Sequence, residues 1–323
     1  MKNIVRSLAI IICSIGLSGC TSLGSYIVSN PDVYLSEDEF ITADPESVGF
    51  VKHKYCSMTT SQCVAYLMAS PYQPTDFSEG ESVYYNLHSV GNGVENTISH
   101  KMTPETFNRF KGTAFILHGY GGKKEVMMAT AIYFRAIGMK VIMPDLFGHG
   151  ESQERFSFAS NEHVIFGELL SQFDNDANLP TIVVGHSMGA LPASKLLSED
   201  KVSAAILLAP MMRFDLAAKR YLPYKAPTLN SFFSDHIDDI VADSMNDASV
   251  SLADMDLLSH LNKSNKPVLL INSNVDPVSP PDYFAAVHNK HVKKFVFNNR
   301  SHSSLMLFSK DDANVIEQWL YEL

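Results

Sequence analysis

The stretch Thr181–Leu197, TIVVGHSMGALPASKLL, decides the fold because it joins a short strand pattern to a glycine-containing turn and a helix. The run Thr181–Val184 is typical of a strand that is buried on both faces of a parallel sheet. The turn Gly185-His186-Ser187-Met188-Gly189 matches G-x-S-x-G in the strand–turn–helix context that exposes a serine hydroxyl. We therefore predict that Ser187 is a nucleophile at the carboxyl end of a strand.

Short apolar runs alternate with helical patterns on both sides of this stretch, which indicates βαβ units and a mainly parallel sheet. Residues 211–264 interrupt that alternation with more than fifty residues, and an insertion of this length is typical of a lid or cap. Cys63–Met68 and Ser82–Ser89 are predicted as further strands, the latter at an antiparallel edge. The other predicted strands are Thr113–Leu117, Lys140–Met143, Ala204–Leu208, Pro267–Ile271 and Lys294–Phe297, and the predicted helices are Glu125–Ile137, Glu162–Phe173, Ser187–Leu197 and Ala313–Leu323.

Four loops that follow predicted strands carry the remaining polar candidates. The first, His118-Gly119-Tyr120-Gly121-Gly122, is rich in glycine, so its backbone N–H groups can face a substrate oxygen. The second, Pro144–Ser152, contains an acid and a histidine, Asp145 and His149. The last two contain Asp276 and His302, and open α/β sheets place their sites at such strand ends.

Taken together, the motifs H-G-x-G, D-x-x-G-H-G-x-S and G-H-S-M-G resemble those of the α/β-hydrolase superfamily. The nearest branch contains monoacylglycerol lipases, lysophospholipases and serine-aminopeptidase-like proteins. The resemblance covers about residues 80–323, apart from most of the insertion. One departure is Gln153-Glu154-Arg155-Phe156, where that branch commonly has G-x-R-G. The resemblance implies an α/β-hydrolase fold whose mostly parallel sheet is flanked by helices and carries an inserted helical cap.

The resemblance also implies a role for each candidate. Its chain order, Ser then acid then His, selects Asp276 and His302 as the partners of Ser187. The acid loop departs modestly from the usual G-x-x-D-x-V, since Asn272 or Ser273 replaces the glycine. The other roles that it implies are oxyanion-binding backbone N–H groups on Tyr120 and Met188 and structural roles for Asp145 and His149. His118, at a strand end, is expected to be a structural hydrogen-bonding residue. Asp282 is the reserve acid, although a position in the first turn of a helix is the favoured interpretation.

The expected activity is that of a serine hydrolase acting on a carboxylic ester, with an acyl lipid as the favoured substrate class and with no metal and no cofactor. A serine peptidase or amidase of the same fold is one alternative, because the same triad cleaves amides. A non-catalytic surface lipoprotein that keeps the fold as a binding module is another. Side chains of the cap that are candidates for an acyl pocket, or for simple packing, are Met211, Met212, Phe214, Phe232 and Phe233.

The amino terminus has the pattern of an export signal. Lys2 and Arg6 precede an apolar run, Ser7–Gly19, that is too short to span about 30 Å of hydrocarbon comfortably. The run ends in Leu17-Ser18-Gly19-Cys20, which resembles the lipobox of bacterial lipoproteins. This implies removal of residues 1–19, acylation of Cys20, and a membrane anchor in the bacterial cell envelope. Thr21, which is not Asp, favours the outer membrane in a Gram-negative source. An uncleaved helix and an ordinary signal peptide are the alternatives.

Composition limits the other possibilities. The 323 residues include 25 Lys and Arg against 35 Asp and Glu, a net charge of −10, so nucleic-acid binding is not the expected role. After export, Cys56 and Cys63 remain as a pair that either forms a disulfide or stays as two buried thiols. No C-x-x-C and no cluster with zinc spacing occurs in the sequence. We expect a tether at residues 20–48 and one folded domain at 49–323, with the cap at 211–264.

Overall fold

A computed structural model describes residues 17–34, 43–91, 93–173 and 179–323 of the chain. Most of the expected signal peptide at 1–19, and residues 35–42 of the expected tether, therefore lie outside the described residues. Within the described ranges, every helix is too short or too polar to cross a bilayer.

The core is an eight-stranded sheet in the order β1-β2-β6-β5-β7-β8-β9-β10, with a separate two-stranded sheet, β3-β4. The six strands from β6 to β10 in that order run parallel, whereas β1 and β2 form an antiparallel hairpin at one edge. The strands are β1 (Val51–Cys56), β2 (Cys63–Ala69), β3 (Val83–Gly91), β4 (Val94–Met102), β5 (Gly112–Leu117), β6 (Met139–Pro144), β7 (Thr181–His186), β8 (Ala204–Leu208), β9 (Val268–Ser273) and β10 (Val292–Phe297).

Helices cover both faces of the sheet because the central strands are buried throughout and offer apolar side chains in both directions. Helices α3 and α10 pack on one face, and α4, α5 and α9 pack on the other. The helices are α1 (Leu17–Val28), α2 (Pro31–Tyr34), α3 (Met128–Ile137), α4 (Glu162–Ser171), α5 (Ala190–Leu196), α6 (Phe214–Lys225), α7 (Pro227–Phe233), α8 (Ile237–Ala248), α9 (Leu257–Lys263) and α10 (Lys310–Leu320).

The strands of the parallel core lie within two residues of the predicted bounds, but three predictions about strands are wrong or incomplete. Ser82–Ser89 belongs to the separate hairpin β3-β4 and not to an edge of the main sheet. The partner strands β1 and β4 were not predicted. Strand β10 was expected to be buried on both faces, yet its residues 293–296 are exposed because β10 is an edge strand.

The insertion is shorter than predicted. Helices α6, α7 and α8 form a helical layer above the carboxyl ends of the strands, and they contribute most of the cap. Helix α9 instead packs against α5, in the layer that covers the sheet. It is therefore the ordinary crossover helix before β9, and residues 257–263 do not belong to the cap.

The expected tether is also partly folded. Helices α1 and α2 occupy residues 17–34, and α1 packs against α7 and α8 of the cap. The small residues of α1 hide this contact in the sequence, because they give no strong apolar period.

Cys56 and Cys63 form a disulfide between directly paired positions of β1 and β2, with their Cα atoms 4.0 Å apart. The described cysteines include no free thiol, because Cys20 is also disulfide-bonded.

Candidate active site

Ser187 directly follows β7 on a sharp turn whose backbone geometry is unusual. Its φ is +52°, in the left-handed region that a residue with a side chain seldom adopts. A Cβ on Gly185 would lie 2.5 Å from the carbonyl oxygen of Gly189, and one on Gly189 would lie 2.7 Å from the carbonyl oxygen of Leu117. The two glycines are therefore required for the turn to close. They hold the Ser187 hydroxyl at the carboxyl end of the sheet.

His302 connects Ser187 to an acid. Its Nε2 lies 2.9 Å from the Ser187 Oγ, and its Nδ1 lies 2.7 Å from Oδ2 of Asp276. A carboxylate accepts hydrogen bonds, so this network assigns the ring proton to Nδ1 and leaves Nε2 free to accept the hydroxyl proton. The structure thus brings together three residues that are far apart in the sequence, which follow strands β7, β9 and β10.

The environment of Asp276 keeps its carboxyl group ionised. Oδ1 accepts hydrogen bonds from the backbone N–H groups of Val278, at 2.9 Å, and Ser279, at 3.2 Å. Burial alone would raise the pKa of Asp276, but the His302 ring and these two donors outweigh it and lower the pKa below its ordinary value. A charged Asp276 can therefore orient the His302 ring and stabilise its protonated form.

His186, the second residue of the turn, has a supporting role that was not predicted. Its Nε2 donates a hydrogen bond to the backbone carbonyl of His302 at 3.2 Å. Burial lowers the pKa of His186 to about 3, so the ring is neutral. The turn that carries Ser187 is thereby linked to the loop that carries His302.

The hairpin β3-β4 also positions the His302 loop, and the sequence predicted neither strand β4 nor this role. The Asn96 side chain donates to the carbonyl of Asn299 at 2.8 Å and accepts from the N–H of Ser301 at 2.8 Å. From the other side, the buried Arg300 pairs with Asp312 of α10 at 2.6 Å. The only available signal was the polar alternation of β4, which did not indicate its partner.

The two predicted oxyanion donors, Tyr120 and Met188, belong to the two segments that lie beside Ser187. The loop of Tyr120 passes so close that a Cβ on Gly119 would lie 3.4 Å from the Ser187 Oγ. Tyr120 lines the same cavity as Ser187, and Met188 is the residue after the nucleophile. The Tyr120 side chain points elsewhere, since its hydroxyl donates to the carbonyl of Val28 at 2.9 Å.

Asp145, His118 and His149 form a second buried set that does not contact Ser187. Asp145 pairs with the ammonium group of the fully buried Lys124 at 2.6 Å. Both ring nitrogens of His118 bond to the backbone, and so do those of His149. This is the structural arrangement that the resemblance implies. The reserve acid Asp282 is exposed beside a short helical turn and lies outside the site.

An apolar cavity opens at Ser187 and His302. Of the five cap residues that were predicted to line a pocket, Met211, Phe214 and Phe233 line this one. Met212 lines a second, smaller cavity that Ser187 also borders, whereas Phe232 is 38% exposed. The remaining lining residues are Gly24, Ile27, Val28, Gly119, Tyr120, His186, Ala217, Ala218, Tyr221, Leu222, Leu229, Ile237, Ile240 and Val278.

Comparisons of the sequence point to hydrolases. Residues 108–256 match the model of a hydrolase family described as serine aminopeptidase, S33. A stretch of 77 residues is 35% identical to the lipase LipV of Mycobacterium tuberculosis (strain ATCC 25618 / H37Rv). That stretch covers 23% of this chain and only 29% of the relative.

Comparisons of the structure show the fold. An esterase of Pyrococcus furiosus is 18% identical with a TM-score of 0.53, over 79% of this chain and 97% of that one. A carboxyl esterase of Bacillus coagulans is 17% identical with a TM-score of 0.51, over 84% and 96%. An esterase of Thermogutta terrifontis is 16% identical with a TM-score of 0.50, over 84% and 98%. The predicted α/β-hydrolase fold is thereby confirmed.

Proposed function

We propose that this chain, with its α/β-hydrolase fold, is a serine hydrolase that cleaves carboxylic esters through Ser187, His302 and Asp276. The observation that carries the proposal is the continuous hydrogen-bonded series from the buried Asp276 carboxylate through the His302 ring to the Ser187 hydroxyl. This is the geometry that a serine nucleophile, its general base and an orienting acid require.

In the proposed reaction, the Ser187 Oγ attacks the acyl carbonyl while His302 Nε2 takes the hydroxyl proton. His302 then gives this proton to the departing alkoxide, which leaves an acyl-enzyme. Water attacks the acyl-enzyme with His302 again as the base, and the acid and free serine are released. The backbone N–H groups of Tyr120 and Met188 stabilise the oxyanion that forms at each addition step.

The substrate that the cavity favours is an ester of a fatty acid, such as a monoacylglycerol or a lysophospholipid. The cavity walls are apolar over most of their area, which suits an alkyl chain. An aminopeptidase would need an anionic group for the substrate's free ammonium, and the described residues that line the cavity include no Asp or Glu. We therefore prefer ester over peptide hydrolysis, although the matched family model is described as a serine aminopeptidase.

Labelling with a fluorophosphonate probe tests the nucleophile. We expect the wild-type protein to be labelled and the Ser187→Ala variant not to be, because the probe reacts with an activated serine hydroxyl. A panel of p-nitrophenyl esters run beside aminoacyl p-nitroanilides tests the bond cleaved. No labelling of the wild type, or equal labelling of the variant, would refute the mechanism. Faster turnover of the anilides than of the esters would indicate that the protein is a peptidase.

We also propose that Cys20 is acylated and anchors the protein in the bacterial cell envelope, at the outer membrane in a Gram-negative source. The lipobox-like Leu17-Ser18-Gly19-Cys20 and the following Thr21 support this. A thioether on Cys20 excludes a disulfide there, so mass spectrometry of the amino-terminal peptide distinguishes the two states. We expect the Cys20→Ser variant to leave the membrane fraction and to remain active. Equal retention of the variant would contradict the anchor.

A further inference from the structure

Helix α1 is docked on the cap by close packing and by hydrogen bonds. A Cβ on Gly24 would lie 2.6 Å from Cγ1 of Ile240, so only glycine lets α1 approach α8 this closely. Ser25 is buried, and its hydroxyl lies 3.1 Å from that of Ser244. The carbonyl at the end of α1, that of Val28, accepts the Tyr120 hydroxyl. Helix α1 thus contacts both the cap and the loop beside Ser187.

The docked face of α1 also forms one wall of the cavity at Ser187. Gly24, Ile27 and Val28 line that cavity. Ile27 is 5% exposed and belongs to one apolar cluster with Phe233 and Ile240 of the cap. Tyr26, on the opposite side of the helix, is 56% exposed. The apolar face of α1 is therefore directed at the place where we expect the acyl group to bind.

We propose that α1 is a specificity-determining wall of the acyl pocket, in which the alkyl chain of the ester lies between α1 and the cap helices. This rests on the proposed hydrolase function. Ile27 and Val28 contact the chain in this arrangement, and Ile27 sets how much of the chain fits. The segment that follows the predicted acylation site is thus part of the substrate site and not only a spacer.

The same helix carries Cys20 two turns before Ile27. Seven residues at about 1.5 Å each place the two positions about 10 Å apart along the axis. With Cys20 acylated as proposed, the anchor lies one turn before Gly24 and two turns before Ile27, which both line the pocket. Esters whose chains lie in the same bilayer are then the substrates closest to the pocket.

Substitutions at Ile27 that fill or enlarge the pocket test this wall. The experiment compares Ile27→Phe, Ile27→Ala and the exposed control Tyr26→Ala in the full-length protein, using kcat/KM for p-nitrophenyl acetate, octanoate and dodecanoate. We expect Ile27→Phe to lower the dodecanoate-to-acetate ratio by about tenfold or more, the effect of one or more lost methylene contacts. Ile27→Ala should shift the preference toward the longer chain, and Tyr26→Ala should keep the wild-type ratio.

Fluorophosphonate labelling separates a failure of this inference from a failure of the proposed function. A wild type that is neither labelled nor active refutes the hydrolase. A labelled, active wild type with the same chain-length ratio in both Ile27 variants overturns the role of α1. Ile27→Phe counts as misfolded when its melting transition is lost, and the chain-length ratio of Ile27→Ala then decides the question. An equal shift in Tyr26→Ala would also overturn the proposal, because that side chain does not line the cavity.

Discussion

Two sets of an acid with histidine lie at the carboxyl end of the same sheet, and only one of them contacts a serine. In the first, one nitrogen of His302 contacts Asp276 and the other contacts Ser187. In the second, Asp145 is paired with Lys124, and both nitrogens of His118 are used by the backbone. Each set contains an aspartate and a buried histidine. The sets differ in the histidine: one ring nitrogen of His302 contacts the Ser187 hydroxyl, whereas both ring nitrogens of His118 bond to the backbone.

The comparison shows that burial serves two purposes in this molecule. Burial removes the Asp276 carboxylate from water, and His302 and two backbone N–H groups stabilise its charge there. Around Lys124 burial alone would lower the pKa, but the Asp145 and Glu151 carboxylates outweigh it and raise the pKa above its ordinary value. The second set is therefore a structural ion pair that holds two loops together. We expect substitutions at Asp276 to affect catalysis and substitutions at Asp145 to affect stability.

The largest expected effect is the loss of activity on removing the charge of Asp276. Asp276→Asn should lower kcat by about 10⁴-fold with little change in Tm, because an amide no longer fixes the His302 tautomer. Asp282→Asn is the matched control at the exposed reserve acid, and it should keep wild-type kcat. Steady-state kinetics of both variants decide between the two acids. A large loss in Asp282→Asn alone would reverse the assignment.

Asp145→Asn should lower the stability of the protein, because Asp145 belongs to the structural set and not to the catalytic one. Removing one partner of a buried ion pair leaves Lys124 poorly compensated, so we expect the free energy of unfolding to fall by about 3–5 kcal/mol. Lys52→Met, which removes the exposed Lys52–Glu151 pair, should cost about 1 kcal/mol or less. Urea unfolding measures both values. Wild-type stability in Asp145→Asn would show that the second set is not structural.

A smaller effect extends the comparison from the reacting groups to the binding groups. Phe233 is buried against the cavity, whereas its neighbour Phe232 is 38% exposed. Phe233→Ala should change the ratio of kcat/KM between long and short esters by about tenfold, and Phe232→Ala should not. If Phe233→Ala and Phe232→Ala have the same ratio of kcat/KM between long and short esters, residues outside the cap select the chain length.

The last prediction concerns how the free energy of unfolding depends on pH. Burial lowers the pKa of His118 to about 4 and the pKa values of His149 and His186 to about 3, from an ordinary value of 6.5. Below pH 6.5 the unfolded chain therefore binds protons that the folded chain does not. Each histidine should lower the free energy of unfolding by up to about 1.4 kcal/mol per pH unit as the pH falls from 6.5 toward 4.

Urea unfolding at pH 7, 6 and 5 tests this dependence. The depressed pKa of Asp276 acts in a lower window: it contributes stability above the ordinary carboxyl value, which is lost as the pH falls through its folded value. Equal free energies of unfolding at pH 7 and pH 5 would contradict the buried, neutral state of the three histidines.

The sequence predicted the elements in which local chemistry and position agree. Ser187, Asp276 and His302 each follow a strand of the parallel core, and parallel strands bring their carboxyl ends to one edge of the sheet. Three short motifs were therefore enough to predict which residues meet, and the contact distances only completed the arrangement.

The sequence did not predict the elements that depend on distant partners. Strand β4, VENTISHKM, has a polar alternation, and its role became visible only when Asn96 was seen to hold the loop of His302. Helix α1, LSGCTSLGSYIV, is rich in small residues, and its packing depends on α8, which lies more than 200 residues later. The hydrophobic periodicity of α1 alone therefore does not indicate this contact, because it depends on a helix that is distant in the sequence.

The outer strands of the main sheet, β1 and β10, have one further consequence. A strand with an unpaired edge offers its backbone to a second copy of the same chain, and lysines on such strands discourage that pairing. Both outer strands carry two lysines, Lys52 and Lys54 on β1 and Lys293 and Lys294 on β10. The lysine side chains on both edges oppose strand-to-strand association between neighbouring molecules. This protection against aggregation matters most when an anchor concentrates the molecules in one plane.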